Sequence, residues 1–362
     1  MTRTFNPRDV GRVIQLQAHG TSLDVASTVL TRRARVAPAI AGWLRWPGAD
    51  RWTLVSDRPA VGAPSGFLQA RRRGRSPEAD VTFIAPGLHV ISGAAHTWQR
   101  LLGDACVALG QAGVARLFAA STLDDALAGQ VLQQAGFAPF EADTVCQMAA
   151  PFVAAGSVGS SMRVAAEGTS FAGDGRLENV RRYAAADRPA LHALLVAGQP
   201  EAARSHESAW SRWADMPASA GPRRERWRVV TDGGGRLVGA VRMVVGRDAV
   251  WLNVAGSPEA VDVGALFALA LGEAGRLRPG GAVWTAVGDR EPALGAAAAA
   301  AGFVPVVRRQ RCVRQTGLQR IAPSWRASKR AVPQASSGAV THAQPRASRA
   351  RERAHSLPEE GT

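Results

Sequence analysis

Glu78 and Asp80 are two carboxylates two residues apart at the start of a predicted strand, Ala79 to Ala85. A carboxylate placed there can take a proton from a substrate, directly or through water. The plainer reading is exposed polar surface. His89 and His96 flank the stretch that opens the next predicted helix, where imidazole can act as a base or simply sit on the surface. Tyr183 is the only tyrosine, and Cys106, Cys146 and Cys312 are the only cysteines. Trp210 and Trp213, three residues apart, could wall a cleft, whereas Trp98, Trp227 and Trp251 read as core aromatics. Other chemistries lack their residues. There is no G-x-x-x-x-G-K-[ST], no G-x-S-x-G and no H-E-x-x-H. The seven histidines show no metal-ligand spacing, so no metal is expected.

The elements that must position these groups belong to a chain of 362 residues, long enough for about two domains. Its 46% hydrophobic and 20% charged residues exclude a largely disordered or fibrous protein. Three widely spaced thiols without a C-x-x-C pair make no disulfide framework, and a reducing, cytoplasmic setting is expected. The N-terminus lacks the apolar stretch of a secretory signal, and no run of 18 apolar residues predicts a membrane span.

The formal net charge is +15, carried by 43 arginines and one lysine, Lys329. With so much Ala, Gly and Val, this bias reads as codon composition. The stretch from Ile321 onward has seven basic and three acidic residues and is rich in Pro, Ser and Ala, which predicts a disordered tail. Such a tail is the route by which nucleic acid could be a partner. The run Arg71-Arg72-Arg73-Gly74-Arg75 reads as a solvated hairpin end.

An internal repeat organises the rest. Arg51-Trp52-Thr53-Leu54-Val55-Ser56-Asp57 matches Arg226-Trp227-Arg228-Val229-Val230-Thr231-Asp232. Ala135-Gly136-Phe137-Ala138-Pro139 matches Ala301-Gly302-Phe303-Val304-Pro305, and each is followed by a cysteine, Cys146 or Cys312, ten residues after its glycine. That equivalence favours packed core cysteines over nucleophiles. Two matches in the same order predict a duplicated domain: copies at 1–148 and 178–318, a Gly/Ala/Ser-rich linker at 149–177 and the tail at 319–362.

Both copies predict similar elements. In the first, Arg8 to Gln17 and Leu23 to Arg35 read as helical, and three strands follow at Trp52 to Asp57, Gly66 to Arg73 and Ala79 to Ala85. Trp98, Leu101, Leu102, Ala105 and Leu109 mark one face of a helix from about Ala94 to Gln111. A strand at Val114 to Ala120, a helix started by Asp124 and Asp125 and closed by Gly136, and two strands around Phe140 and Val145 to Met148 complete it. In the second copy, Gly233 to Gly235 make a hairpin turn between Arg226 to Thr231 and Leu237 to Val245.

This order, with a helix reaching Gly-Phe before the closing strands in each copy, resembles the GNAT superfamily of acyl-CoA-dependent N-acyltransferases, in tandem. The resemblance implies an α/β (α+β) fold: two GNAT-like domains, each a mixed, mostly antiparallel sheet flanked by helices. It implies acetyl-CoA as acyl donor and a small-molecule or peptide amine as acceptor. The pantetheine arm would lie along the fourth strand, here Val81 to Ala85 or Leu252 to Ala255, and the pyrophosphate on the loop opening the next helix. Neither loop carries the family's R/Q-x-x-G-x-G/A signature. Glu259 and Asp262 oppose phosphate in the second copy, whereas Ser92-Gly93-Ala94 in the first is small and uncharged. The resemblance therefore implies Phe83, Ile84, Ala85, Ser92, Gly93 and Ala94 as the cofactor-binding set, with Glu78 and Asp80 as candidate bases. Tyr183 does not fall where the family places its acid. The alternative expectation is a catalytically degenerate GNAT-like module that binds a ligand or partner.

Overall fold

A computed structural model describes residues 2–31, 36–44, 50–56, 64–74, 76–148, 177, 179–198, 213 and 225–317. The expected tail, nearly all of the expected linker, and Trp210 lie outside the described residues.

The first copy begins with β1 (Thr2–Thr4), a 3-10 turn at Pro7–Asp9 and α1 (Val10–Gln17). Next come β2 (Thr21–Ser22), α2 (Val25–Thr31) and α3 (Val36–Trp43). Then follow β3 (Arg51–Ser56), β4 (Gly66–Arg72), β5 (Glu78–Ala85), α4 (Ala94–Gln111), β6 (Arg116–Thr122), α5 (Ala126–Gln134) and β7 (Ala138–Met148). The second copy runs β8 (Val180–Arg182), a 3-10 turn at Ala185–Asp187, α6 (Arg188–Ala197), β9 (Glu225–Thr231), β10 (Leu237–Val245) and β11 (Ala249–Gly256). It ends with α7 (Val263–Leu277), β12 (Ala282–Gly288), α8 (Pro292–Ala300) and β13 (Phe303–Gln315).

Local chemistry explains these elements. The apolar stripe of α4 is fully buried at Trp98, Leu101, Leu102, Ala105 and Leu109, and each large side chain contributes about 1.5–3 kcal/mol on leaving water. The Asp125 carboxylate accepts the Ala128 amide proton and starts α5. Gly136 and Gly302, at φ 81° and 91°, turn the chain out of α5 and α8 in a conformation that favours glycine. A further duplicated device escaped the sequence reading. Arg3 grips Asp9 through two bonds of 2.7 and 2.8 Å, and Arg181 grips Asp187 at 2.7 and 2.6 Å. In each case the carboxylate also accepts a backbone amide three residues before it.

One continuous sheet holds all the strands, in the order β1-β3-β4-β5-β6-β13-β7-β12-β11-β10-β9-β8, with β2 added to β5. It is antiparallel except at two junctions. β5 pairs with β6 from Glu78↔Arg116 to Asp80↔Phe118, and β11 pairs with β12 from Ala249↔Ala282 to Leu252↔Thr285.

The closing strands differ from the expectation. The first copy does not end in two short strands; β7 is a single strand of 11 residues, and β13 is one of 13. Each crosses to the other copy. β13 lies between β6 and β7, with Cys312 opposite Ala119, and β7 pairs with β12, with Cys146 opposite Thr285. The strand pair that closes each copy is thus built from both. Pro305 has no amide proton, and the β13–β7 register shifts between Pro305 and Val307.

Arg71, Arg72 and Arg73 do not form a solvated tip, and Arg75 lies outside the described residues. The Arg73 side chain is buried, lies over the Phe118 ring at 3.9 Å and pairs with Asp80. Arg71 turns toward Asp24 and Asp80. Arg72 reaches the carbonyl oxygen of Ala112 and stands over the Trp52 ring.

Candidate functional site

A cavity of about 450 Å³ opens where β11 and β12 separate. Beyond Leu252↔Thr285 the two strands no longer pair, and Asn253, Val254, Ala255 and Gly256 form one wall. Arg290, from the turn between β12 and α8, and Leu294, from the start of α8, form the opposite wall. Pro258 and Val263 close the side toward the start of α7. The floor comes from the first copy: Leu23, Asp24 and Ala26 from the approach to α2, and Asp80, Val81 and Phe118 from β5 and β6. Trp213 and Trp251 add aromatic surface.

The same separation of strands occurs in the first copy, but there the chain fills it. β4 occupies one edge of β5 at Phe83 and Ile84, so β2 must take the other, with Thr21 opposite Ile84 and Ser22 opposite Phe83. The Leu23 amide donates to the carbonyl of Thr82 at 3.1 Å, and the Gly87 amide donates to the carbonyl of His19. Phe83, Ile84 and Ala85 are also buried. Among the described residues the open edge therefore lies in the second copy, whereas the loop sequences favoured the first. The physical reason is a two-residue strand that no periodicity announces.

Ser92, Gly93 and Ala94 do stand at the start of α4. Gly93 is its N-cap at φ 80°, with no side chain capping the free amides. At α7 the Asp262 carboxylate accepts the Gly264 amide proton at 2.8 Å. It puts a negative charge where a phosphate would otherwise gain from the helix dipole. His89 pairs with Asp125 at 3.0 Å on the surface and does not line the cavity.

Glu78 and Asp80 belong to a charged lattice beneath the cavity. Glu78 is fully buried, 2.6 Å from Arg116 and 3.8 Å from Arg73, and does not line the cavity. Asp80 does line it, but Arg73 Nε meets both of its oxygens at 3.0 Å, and Arg71 lies 3.6 Å away. Arg309 forms a two-bond bridge to Asp143 at 2.8 and 2.7 Å, and Arg311 meets Glu141 at 2.6 Å. With Asp24, which lies 3.4 Å from Arg71, five arginines face five carboxylates. Burial alone would raise the Asp24 pKa. The Arg71 charge, hydrogen bonds from Ser27 and the Arg309 charge outweigh it and hold Asp24 below the usual carboxylate value. Removing one member of such a buried set strands its partner, at a cost of about 3–5 kcal/mol.

The thiols are not poised for attack. Burial pushes Cys106 and Cys312 up to about 11, and burial with the nearby Asp143 charge also raises Cys146. Among the described residues no cluster of His, Cys, Asp or Glu could hold a metal ion. No described helix is long and apolar enough to cross a membrane.

The sheet order, the twofold repeat of elements and the paired strand separations decide the fold. The chain has the GNAT fold. No family model matches it, and no curated protein does. Solved structures do. A tandem GNAT protein from the clavulanic acid biosynthesis pathway is 16% identical and aligns over 88% of this chain and 98% of its own, with a TM-score of 0.53. A GCN5-related N-acetyltransferase from Sphaerobacter thermophilus is 14% identical and aligns over 87% and 95%, with a TM-score of 0.51. At these identities the likeness establishes the GNAT architecture and leaves the chemistry to be argued from this chain's own residues.

Proposed function

We propose that this GNAT-fold protein is an N-acyltransferase that moves an acetyl group from acetyl-CoA to an amine, with its site in the second copy. One observation carries the reading. The Asn253–Gly256 edge, unpaired beyond Leu252↔Thr285, lines a cavity about 450 Å³ in volume. A pantetheine arm is an extended chain with two amides and can hydrogen-bond to such an edge as a strand would. Arg290, on the facing wall, would supply positive charge for the phosphates.

In this reading the first copy, residues 1–148, has given up cofactor binding. β2 occupies its edge, and its α2 region instead floors the second copy's cavity. The acceptor amine approaches from that floor, a small molecule or a peptide end. The attacking nitrogen becomes strongly acidic as it bonds to the carbonyl carbon, so a weak base suffices. Asp80, the one of the two candidate carboxylates that reaches the cavity, takes the proton through water.

The second reading is a GNAT-fold module that binds a ligand without catalysis. Asp262 favours it, because its carboxylate already uses the α7 terminus that would hold a pyrophosphate. Calorimetric titration of the full chain with acetyl-CoA separates the two. Micromolar binding supports the acyltransferase reading and justifies a screen of amines. Absence of binding removes the donor and leaves the non-catalytic module.

A further inference from the structure

We infer that the side-chain amide of Asn253 donates a hydrogen bond to the carbonyl oxygen of the acyl thioester. The inference rests on the acetyl-CoA reading above and adds a residue that stabilises the reacting group.

Asn253 follows Leu252, the last residue of β11 paired with β12, so it stands where the strands part and the cavity begins. Its amide orientation is set by chemistry. The Trp251 indole nitrogen can only donate, and it donates to Asn253 Oδ1 at 3.2 Å. The two protons of Nδ2 must therefore look elsewhere. Nδ2 is buried and meets no acceptor among the described residues. A buried donor left without a partner is costly, and such groups are rare in folded proteins.

The first copy shows the satisfied counterpart. Counting from the matched starts of β5 and β11, Thr82 takes the place of Asn253. Its hydroxyl donates to the Gln69 carbonyl at 3.2 Å, and its own carbonyl accepts the Leu23 amide proton. Where the first copy closes its edge, the polar group is paired within the protein. Where the second leaves its edge open, a donor stands unpaired.

An acceptor oxygen from the ligand completes the pairing. Asparagine cannot take a proton from an amine, so this position is no general base. Its N–H suits an oxygen that gains charge as the reaction proceeds. The amine lone pair forms the new N–C bond, and the C=O π pair moves onto the oxygen facing Nδ2. Collapse re-forms C=O and breaks the C–S bond. The thiolate of CoA leaves with its electron pair and is protonated by solvent, while the nitrogen gives up one proton.

The test compares acetyl-CoA with S-ethyl-CoA, a thioether without the carbonyl oxygen. Both are titrated into the full-length wild type, Asn253→Ala and Asn253→Asp. The aspartate variant still accepts the Trp251 proton but cannot donate, and thermal melting checks that each variant folds. The expected result is a loss of roughly 2–10-fold in acetyl-CoA affinity in both variants, with S-ethyl-CoA affinity unchanged. The carbonyl carbon resonance of bound [1-13C]acetyl-CoA should shift downfield in the wild type and lose that shift in the variants. Equal losses for both ligands, or none, overturn the role of Asn253 and leave the acyltransferase reading standing. No binding of either ligand to the wild type overturns both.

Discussion

Asp143 and Arg309 face each other across β7 and β13, joined by two hydrogen bonds of 2.8 and 2.7 Å, and they are the same position of the two copies, 166 residues apart. The same offset relates Cys146 opposite Thr285 to Cys312 opposite Ala119. The pair therefore sits on the approximate twofold axis between the copies. In a dimer of identical chains this place would set a residue against itself. Here one copy places an acid and the other a base, both largely buried.

Asp143→Asn or Arg309→Met alone is expected to cost about 3–5 kcal/mol, because each strands a buried charge. The exchanged pair, Asp143→Arg with Arg309→Asp, should recover most of that loss, since the axis makes the two places nearly equivalent. Urea unfolding of the three variants measures it. An exchange no more stable than either single variant would show that the surrounding lattice, not the axis, sets the cost.

Residues 1–148 alone should not fold as a stable monomer. Without β13, the facing edges of β6 and β7 have no partner. A second molecule could lend its β7, but that places Asp143 against Asp143. Size-exclusion chromatography and amide exchange report the state. A well-protected monomer would mean that β13 is dispensable to the first copy.

Acetyl-CoA should slow amide exchange around Val254 and Ala255 and leave Phe83 and Ile84 unchanged. β2 already shields the latter pair. Mass-resolved exchange with and without acetyl-CoA checks this. Protection confined to the first copy would return the cofactor to Ser92, Gly93 and Ala94.

Asp262→Asn should tighten acetyl-CoA binding by several-fold. It keeps a side-chain oxygen for the Gly264 amide and removes a negative charge near the expected phosphates, an effect of about 0.3–1 kcal/mol. Unchanged or weaker binding would place the phosphates away from the α7 terminus.

Alkaline pH should destabilise the fold through two thiols. Burial raises Cys106 and Cys312 from 9.0 to about 11, so the unfolded chain loses these protons first. Their contribution is complete below pH 9 and is lost as pH rises toward about 11, by up to roughly 2–3 kcal/mol per thiol. Urea midpoints at pH 8 and 10.5, for the wild type and for Cys106→Ala with Cys312→Ala, measure it. The same drop in both proteins would assign the effect to other groups.

Much of the architecture is written in local patterns. The α4 stripe, the Gly136 and Gly302 caps and the repeat of Arg-Trp and Gly-Phe signposts are short-range chemistry, and they placed the main helices and most strands within a few residues. What they could not carry is partner choice. β7 and β13 have the same alternation whether they pair within a copy or across copies. Thr21 and Ser22 make too short a strand for any period, yet they decide which cleft is closed. Glu78 and Asp80 read as surface or base because their arginines, Arg71, Arg73 and Arg116, are partners through space. Asn253 gives no signal until its unpaired nitrogen is seen beside the open edge.

The crossing of β13 also sets an order in time. β6 is complete once Thr122 is synthesised, but its partner begins at Phe303. At about 5–20 residues per second, the ribosome leaves that edge open for roughly 10–40 s. During translation the first half is thus a template awaiting its last strand, and nascent chains on one messenger can supply the wrong one. Slow stretches of the message between the two halves would lengthen that interval, and chaperones that cover strand edges would be most useful within it.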